Sequence, residues 1–325
     1  MNLPMLFIVA LVMFIFGGSS QSQINDDQSA GQRDEILRRY RLDPTSSLVS
    51  RVKAPSATAL KMFEDLGQTR PTEHVLTEIE KLKLSAAFAA ILPLHQRVLR
   101  ERLRSVSFLN ASMPGTALTS NVNPGDSYKL FDITIRAAIF RQNASDWLTE
   151  KESGYYDVAG SSLNISIEAG NRDAIVFVLL HEATHIVDHC LGITPHLRSD
   201  DKSASGGIST PFTEGVWSER TIPVPLYRDP LLERLRFRVN GEVIAIDRAD
   251  SIYSSLSKTP FVSLYSSSNW YDDLAEYVAV FHWTEILKQP YKIVIRKESK
   301  KVFVYEPMKS NLVRKRVGQI KQFYL

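Results

Sequence analysis

Apolar residues recur at steps of three and four from Arg33 to about Arg104, and this period predicts helices. The segment TEHVLTEIEKLKLSAAFAAILPLHQRVLRERL carries it best. Thr72 stands there as a cap ahead of Glu73, and Pro93 should kink or divide the element. NASMPGTALTSNVNPGD, crowded with turn residues, reads as a loop. Beyond it the period changes to two. YKLFDITIRAAIF and SSLNISIEAG alternate as strands, RLRFRVNGEVIAI reads as a hairpin on an Asn-Gly turn, and PYKIVIRKESKKVFVYEP reads as another hairpin. Among them runs an apolar helix, FVLLHEATHIVDHCLG, whose start Asn171 or Asp173 can cap. The expected fold class is α+β, with a helical region over 21–124 and an α+β domain over 125–325. A hairpin-bearing insertion is expected at about 195–260.

The first twenty residues differ in kind. Leu6 to Phe16 is an uncharged apolar run, too short to span a bilayer comfortably, and small residues follow it at Gly17 to Ser20. This predicts a signal peptide over 1–20 and a mature chain starting between about Gln21 and Gln23. An uncleaved anchor or a buried N-terminal helix is the alternative. No cysteine follows the run, which argues against a lipid anchor. The expected location is therefore secreted, periplasmic or cell-envelope, with no stable membrane span after processing.

Composition narrows the classes further. Lys plus Arg total 39 against 36 for Asp plus Glu, and a net charge of +3 gives no argument for a nucleic-acid partner. The basic runs RKESKK and NLVRKRVGQIKQ, and the stripe Arg97, Arg100, Arg102 and Arg104, read as solvated faces. His74 and His95 read as ordinary surface or internally satisfied residues. Cys190 is the only cysteine, which excludes an internal disulfide and a zinc ribbon, and within its apolar helix it reads as a core residue.

The apolar helix carries the candidate chemistry. His181 and His185 are four apart and so share a helix face, about 6 Å apart along the axis. Two imidazoles at that spacing can reach one tetrahedral zinc ion, and Glu182 beside them can deprotonate a water. This is the pattern His-Glu-x-x-His. His189 lies about 12 Å from His181 along the axis, too far for the same ion. Asp188 and Leu191 stand where a metzincin would have glycine and histidine. A carboxylate from elsewhere must complete the set. Asp272 and Glu276, four apart on a helix predicted within SLYSSSNWYDDLAEYVAVFHW, are the candidates: one can ligate while the other accepts a hydrogen bond from a ligating imidazole.

Together the two segments resemble the gluzincin branch of zinc peptidases, and most of all its lethal-factor-like group. The residues that carry the resemblance are His181, Glu182, His185 and Asp188, then Tyr265, Asp272, Ala275 and Glu276. It implies a zincin-like catalytic domain in which His181, His185 and Asp272 bind Zn2+ and Glu182 is the general base. Tyr265 would steady the oxyanion, and Glu276 would orient a histidine ligand. The resemblance covers about 160–285 and departs at Asp272, where the group has glutamate, so Glu276 stays open as the alternative ligand. It further assigns SSLNISIEAG as the edge strand that pairs with extended substrate. The function so implied is a secreted zinc endopeptidase acting on a protein or peptide. A zinc hydrolase of a cell-wall or other non-protein amide, or a non-catalytic envelope zinc-binding protein, stands as the alternative.

Overall fold

The computed structural model describes residues 26–65, 71–111, 115–196, 209–235, 237 and 241–325; the expected signal peptide lies outside them. In chain order, α1 (Asp26–Arg39) and α2 (Ala57–Asp65) precede the short strand β1 (Thr72–Glu73). Helices α3 (Glu78–Ala90) and α4 (Pro93–Arg102) follow, then β2 (Leu103–Asn110), β3 (Ala117–Asn121) and β4 (Phe131–Arg136). Next come α5 (Ala144–Ser153), β5 (Tyr156–Asp157), β6 (Leu163–Glu168) and α6 (Ala174–Leu191). After α6 come β7 (Trp217–Glu219), β8 (Ile222–Pro223), α7 (Pro230–Glu233), β9 (Ile244–Ala245) and α8 (Ala249–Leu256). Helix α9 (Trp270–Phe281), the hairpin β10 (Lys292–Lys297) and β11 (Lys300–Tyr305), and α10 (Asn311–Arg314) complete the chain. The protein is α+β, with small sheets.

Local chemistry explains the element boundaries. Thr77, not Thr72, caps α3: its hydroxyl accepts from the Glu80 N–H, and the Glu80 carboxylate accepts from the Thr77 N–H at 2.8 Å. This reciprocal pair satisfies two amides that a helix start leaves bare, whereas Thr72 lies in β1. Pro93 divides the helical run as expected, since it opens α4 where no amide is needed. Asp173 occupies the cap position of α6 but makes no cap bond; its carboxylate meets Lys83 at 2.6 Å. At the other end Gly192, at φ +62°, takes the left-handed conformation that stops α6.

Strands also form where none was expected. One sheet runs β1-β2-β4-β3, with β2 parallel and β3 antiparallel to β4. Three of its strands come from 21–124, so that stretch is not purely helical, and the expected boundary at 124/125 cuts through the sheet. Leu48, Leu84, Phe131, Phe177 and Phe323 belong to one continuous core. Arg104, expected on a wet helix face, lies in β2 and pairs with buried Asp132. His95 is not a surface residue: it is fully buried against Thr184, with Nε2 3.0 Å from the hydroxyl.

The second sheet is β11-β10-β6, antiparallel throughout, which bears out the hairpin at the C-terminal side. Its strand β6 is no open edge. Ser145 and Thr149 of α5 cover the free side, their hydroxyls accepting from the amides of Ala169 and Ile167 at 2.9 and 2.8 Å. The turn of the hairpin expected at the Asn-Gly pair lies outside the described residues; across it the Glu242 N–H bonds the Arg234 carbonyl at 2.9 Å. β9 itself pairs with β5.

Between the sheets and helices lies α6. By length and composition alone it could cross a membrane, yet 83% of it is buried inside the fold. Residues 174–188 are buried without interruption, which accounts for its near-continuous apolar sequence. Helices α3, α4 and α9 pack around it.

Candidate metal centre

Two helices bring the site together. The packing of α6 on α9 sets His181 and His185 against Asp272, all three buried. The two Nε2 atoms are 3.1 Å apart, and Asp272 Oδ1 lies 3.6 Å from each. A tetrahedral ion with bonds of 2.0–2.1 Å holds its ligand atoms about 3.3 Å apart. The triangle is that size. Asp272 Oδ1 is buried and makes no hydrogen bond among the described residues, while Oδ2 accepts from the Asn269 amide group at 2.6 Å. A buried carboxylate oxygen without a donor is costly unless a cation meets it.

Protonation points the same way. Glu276 Oε1 is 3.1 Å from His181 Nδ1. Next to a carboxylate, Nδ1 carries the proton, which leaves the Nε2 lone pair facing His185 and Asp272. Burial disfavours a charge on His181, but Asp272 and Glu276 outweigh it and push the imidazole up to about 9. Burial, then the neighbouring His181, push His185 down. Burial opposes ionisation of Asp272, yet the two imidazoles hold it below its ordinary range. The cluster therefore draws one positive charge to its centre, carried by a proton on His181 or by a cation bound in its place. The donor set, two imidazoles and one carboxylate, fits a divalent metal with a further position open.

Around this triangle each remaining residue has a definite partner. Glu182 accepts a 2.6 Å hydrogen bond from the Thr119 hydroxyl of β3. Glu276 also accepts from the Ser263 hydroxyl at 2.8 Å and meets Lys151 Nζ at 3.1 Å. Burial opposes its ionisation, but Lys151 and His181 hold it well below its ordinary range. The Tyr265 ring lies over His181 at a tilt of 30°, centroids 6.0 Å apart, and burial with the Asp272 charge keeps its phenolic proton on. Phe237, between α7 and β9, meets Tyr265 edge-on at 5.7 Å.

The sequence-expected residues sort plainly. His181, His185 and Asp272 converge, Glu276 stands behind His181, and Glu182 and Tyr265 lie alongside. Asp188 ties down the end of α6 instead, accepting from the Thr194 amide and hydroxyl at 2.7 and 2.6 Å. His189 points away from the cluster, against Phe131 and His196. Sequence reasoning missed Thr119, Lys151, Ser263 and Asn269. Only Asn269 had a local signal, being a cap residue directly before α9. No protein-family model, curated protein or solved structure matches this chain.

Proposed function

We propose that this chain is a secreted zinc-dependent endopeptidase. The observation that carries the reading is the buried triangle of His181, His185 and Asp272, with Glu182 on the same helix as the two imidazoles. Its ligand number suits catalysis better than a purely structural site, which closes with four protein ligands. The gluzincin resemblance supports the same roles, with Asp272 as ligand and Glu276 behind His181. Export rests on the apolar run and small-residue exit of residues 6–20.

Zinc, when bound, supplies Lewis-acid activation of a water and of the substrate carbonyl. The chain's own residues do the proton work. Glu182 accepts the proton of the attacking water through one oxygen while Thr119 holds the other. It then delivers that proton to the amine nitrogen as the C–N bond breaks. Tyr265 donates its phenolic O–H to the carbonyl oxygen as negative charge gathers there. Glu276, through Nδ1, keeps His181 in the ligating tautomer.

Substrate alignment falls to β3, not to β6, on this reading. Arg136 N–H bonds Thr116 O at 2.7 Å and Val122 N–H bonds Leu130 O at 2.8 Å. The antiparallel alternation then turns the backbone groups of Ala117, Thr119 and Asn121 away from β4, on the side where no further strand pairs among the described residues, beside Glu182. An extended peptide paired there runs past the metal cluster.

Digestion of casein, a peptide library and peptidoglycan tests the reading. Wild type should bind about one zinc per chain and cut peptides, and chelation should stop it. Glu182→Gln should keep its zinc and lose turnover by roughly 10²-fold or more. A fully active Glu182→Gln rejects the mechanism; hydrolysis of peptidoglycan alone rejects the substrate class.

A further inference from the structure

Lys151 belongs to neither motif, yet it meets both. It projects from α5 with its side chain 14% exposed, and its ammonium lies 3.1 Å from Glu276 Oε1. The same oxygen is 3.1 Å from His181 Nδ1. The same ammonium stands 4.4 Å from the centre of the Tyr265 ring and 5.6 Å from that of Trp147. One half-buried cation thus touches the carboxylate behind a candidate ligand and the face of the candidate oxyanion donor.

We propose that Lys151 is a positioning residue for the metal centre, acting on His181 through Glu276 and on Tyr265 through the ring face. This rests on the metal site of the preceding reading. A carboxylate only 1% exposed needs a compensating charge to stay in place. Lys151 supplies that charge, and Ser263 fixes the other oxygen. Glu276 is then held as an acceptor for Nδ1–H, and the Nε2 lone pair of His181 faces the centre. The aromatic face adds a cation–π contact that fixes the tilt of Tyr265 over His181. Arginine is no equal here. Its planar fork suits a bidentate grip, whereas a compact ammonium can sit between one carboxylate oxygen and a ring.

Zinc affinity, measured by competition with a chelating dye on the full chain, tests the assignment apart from activity. Lys151→Met should weaken zinc binding several-fold, up to the roughly 10–100-fold that loss of Glu276 itself, the outer partner of His181, would cost. Lys151→Arg should recover part of that loss. Because Lys151 acts through Glu276, the double variant Lys151→Met/Glu276→Gln should bind zinc about as well as Glu276→Gln alone. Should Lys151→Met fail to fold, Lys151→Gln, which keeps a donor and most of the length, must show the same loss. Wild-type affinity in a folded Lys151→Met or Lys151→Gln overturns the inference while leaving the metal site standing, as do additive losses in the double variant. A wild-type chain that binds no zinc overturns both.

Discussion

Glu152, one residue along from Lys151, is the complementary case of a buried charge. It lies 4% exposed and accepts a hydrogen bond from the Tyr253 phenol, and burial pushes its carboxyl up to about 7 against an ordinary 4.5. The sign follows from where the proton is held more tightly. The folded chain keeps it to higher pH than the unfolded chain, so the fold weakens as pH climbs from about 4.5 to 7 and levels off above. The cost at the plateau is about 3 kcal/mol. Glu152→Gln should therefore stabilise the protein at pH 8 and change little near pH 4.5; denaturant titrations at the two values check it. A variant equally stabilised at both would contradict the assignment to this carboxyl. The motif residues were legible because His181, Glu182 and His185 are local to one helix. Lys151 was not: its role depends on α5 lying across from α9, which no spacing along the chain encodes.

Helix α9 places its candidate ligand, Asp272, through its first turn. Asn269 accepts from the amides of Tyr271 and Asp272, both at 3.0 Å, and its own amide group donates to Asp272 Oδ2 at 2.6 Å. One cap residue starts the helix and aims the carboxylate. Asn269→Ala should cost about 1 kcal/mol in folding stability as a lost cap. It should also lower zinc affinity, since Oδ2 loses a partner and Asp272 gains rotational freedom. Thermal melts with and without zinc separate the two effects, and unchanged zinc affinity would show that Asp272 is aimed by packing alone. The ALTSN stretch of β3 is five residues long and lies between turn-rich flanks, so locally it is a loop. Pairing with the wholly buried β4 makes it a strand. The hairpin β10–β11 was legible because its own turn and alternation suffice. The Asn-Gly turn lies outside the described residues, and beyond it β9 takes its partner, β5, from far along the chain, a pairing that no local pattern encodes.

Across the whole molecule, Arg316 joins the C-terminal segment to the stretch between α6 and α9 and to α9 itself. Its guanidinium grips Asp273 at 2.7 and 3.0 Å and donates to the carbonyls of Pro260 and Phe212 at 3.2 and 3.4 Å. Trp217 donates to the same carboxylate at 2.9 Å. Even so, burial outweighs Arg316 and holds the Asp273 carboxyl above its ordinary value. Arg316→Met should destabilise by roughly 3–5 kcal/mol, because Asp273 is then buried without its counter-charge. Adding Asp273→Asn should recover part of that loss in urea unfolding; a neutral Arg316→Met would mean that the Arg316–Asp273 pair contributes nothing to stability. At this scale β3 has its own consequence for the proposed peptidase. An edge that pairs through backbone amides accepts only a target whose own amides are unpaired. A folded protein must first open locally around the bond to be cut, and each 1.4 kcal/mol of local stability then lowers its cleavage rate about tenfold. Among targets with identical residues at the scissile bond, the loosest would be cut first, so the enzyme would sort proteins by how well they hold their shape.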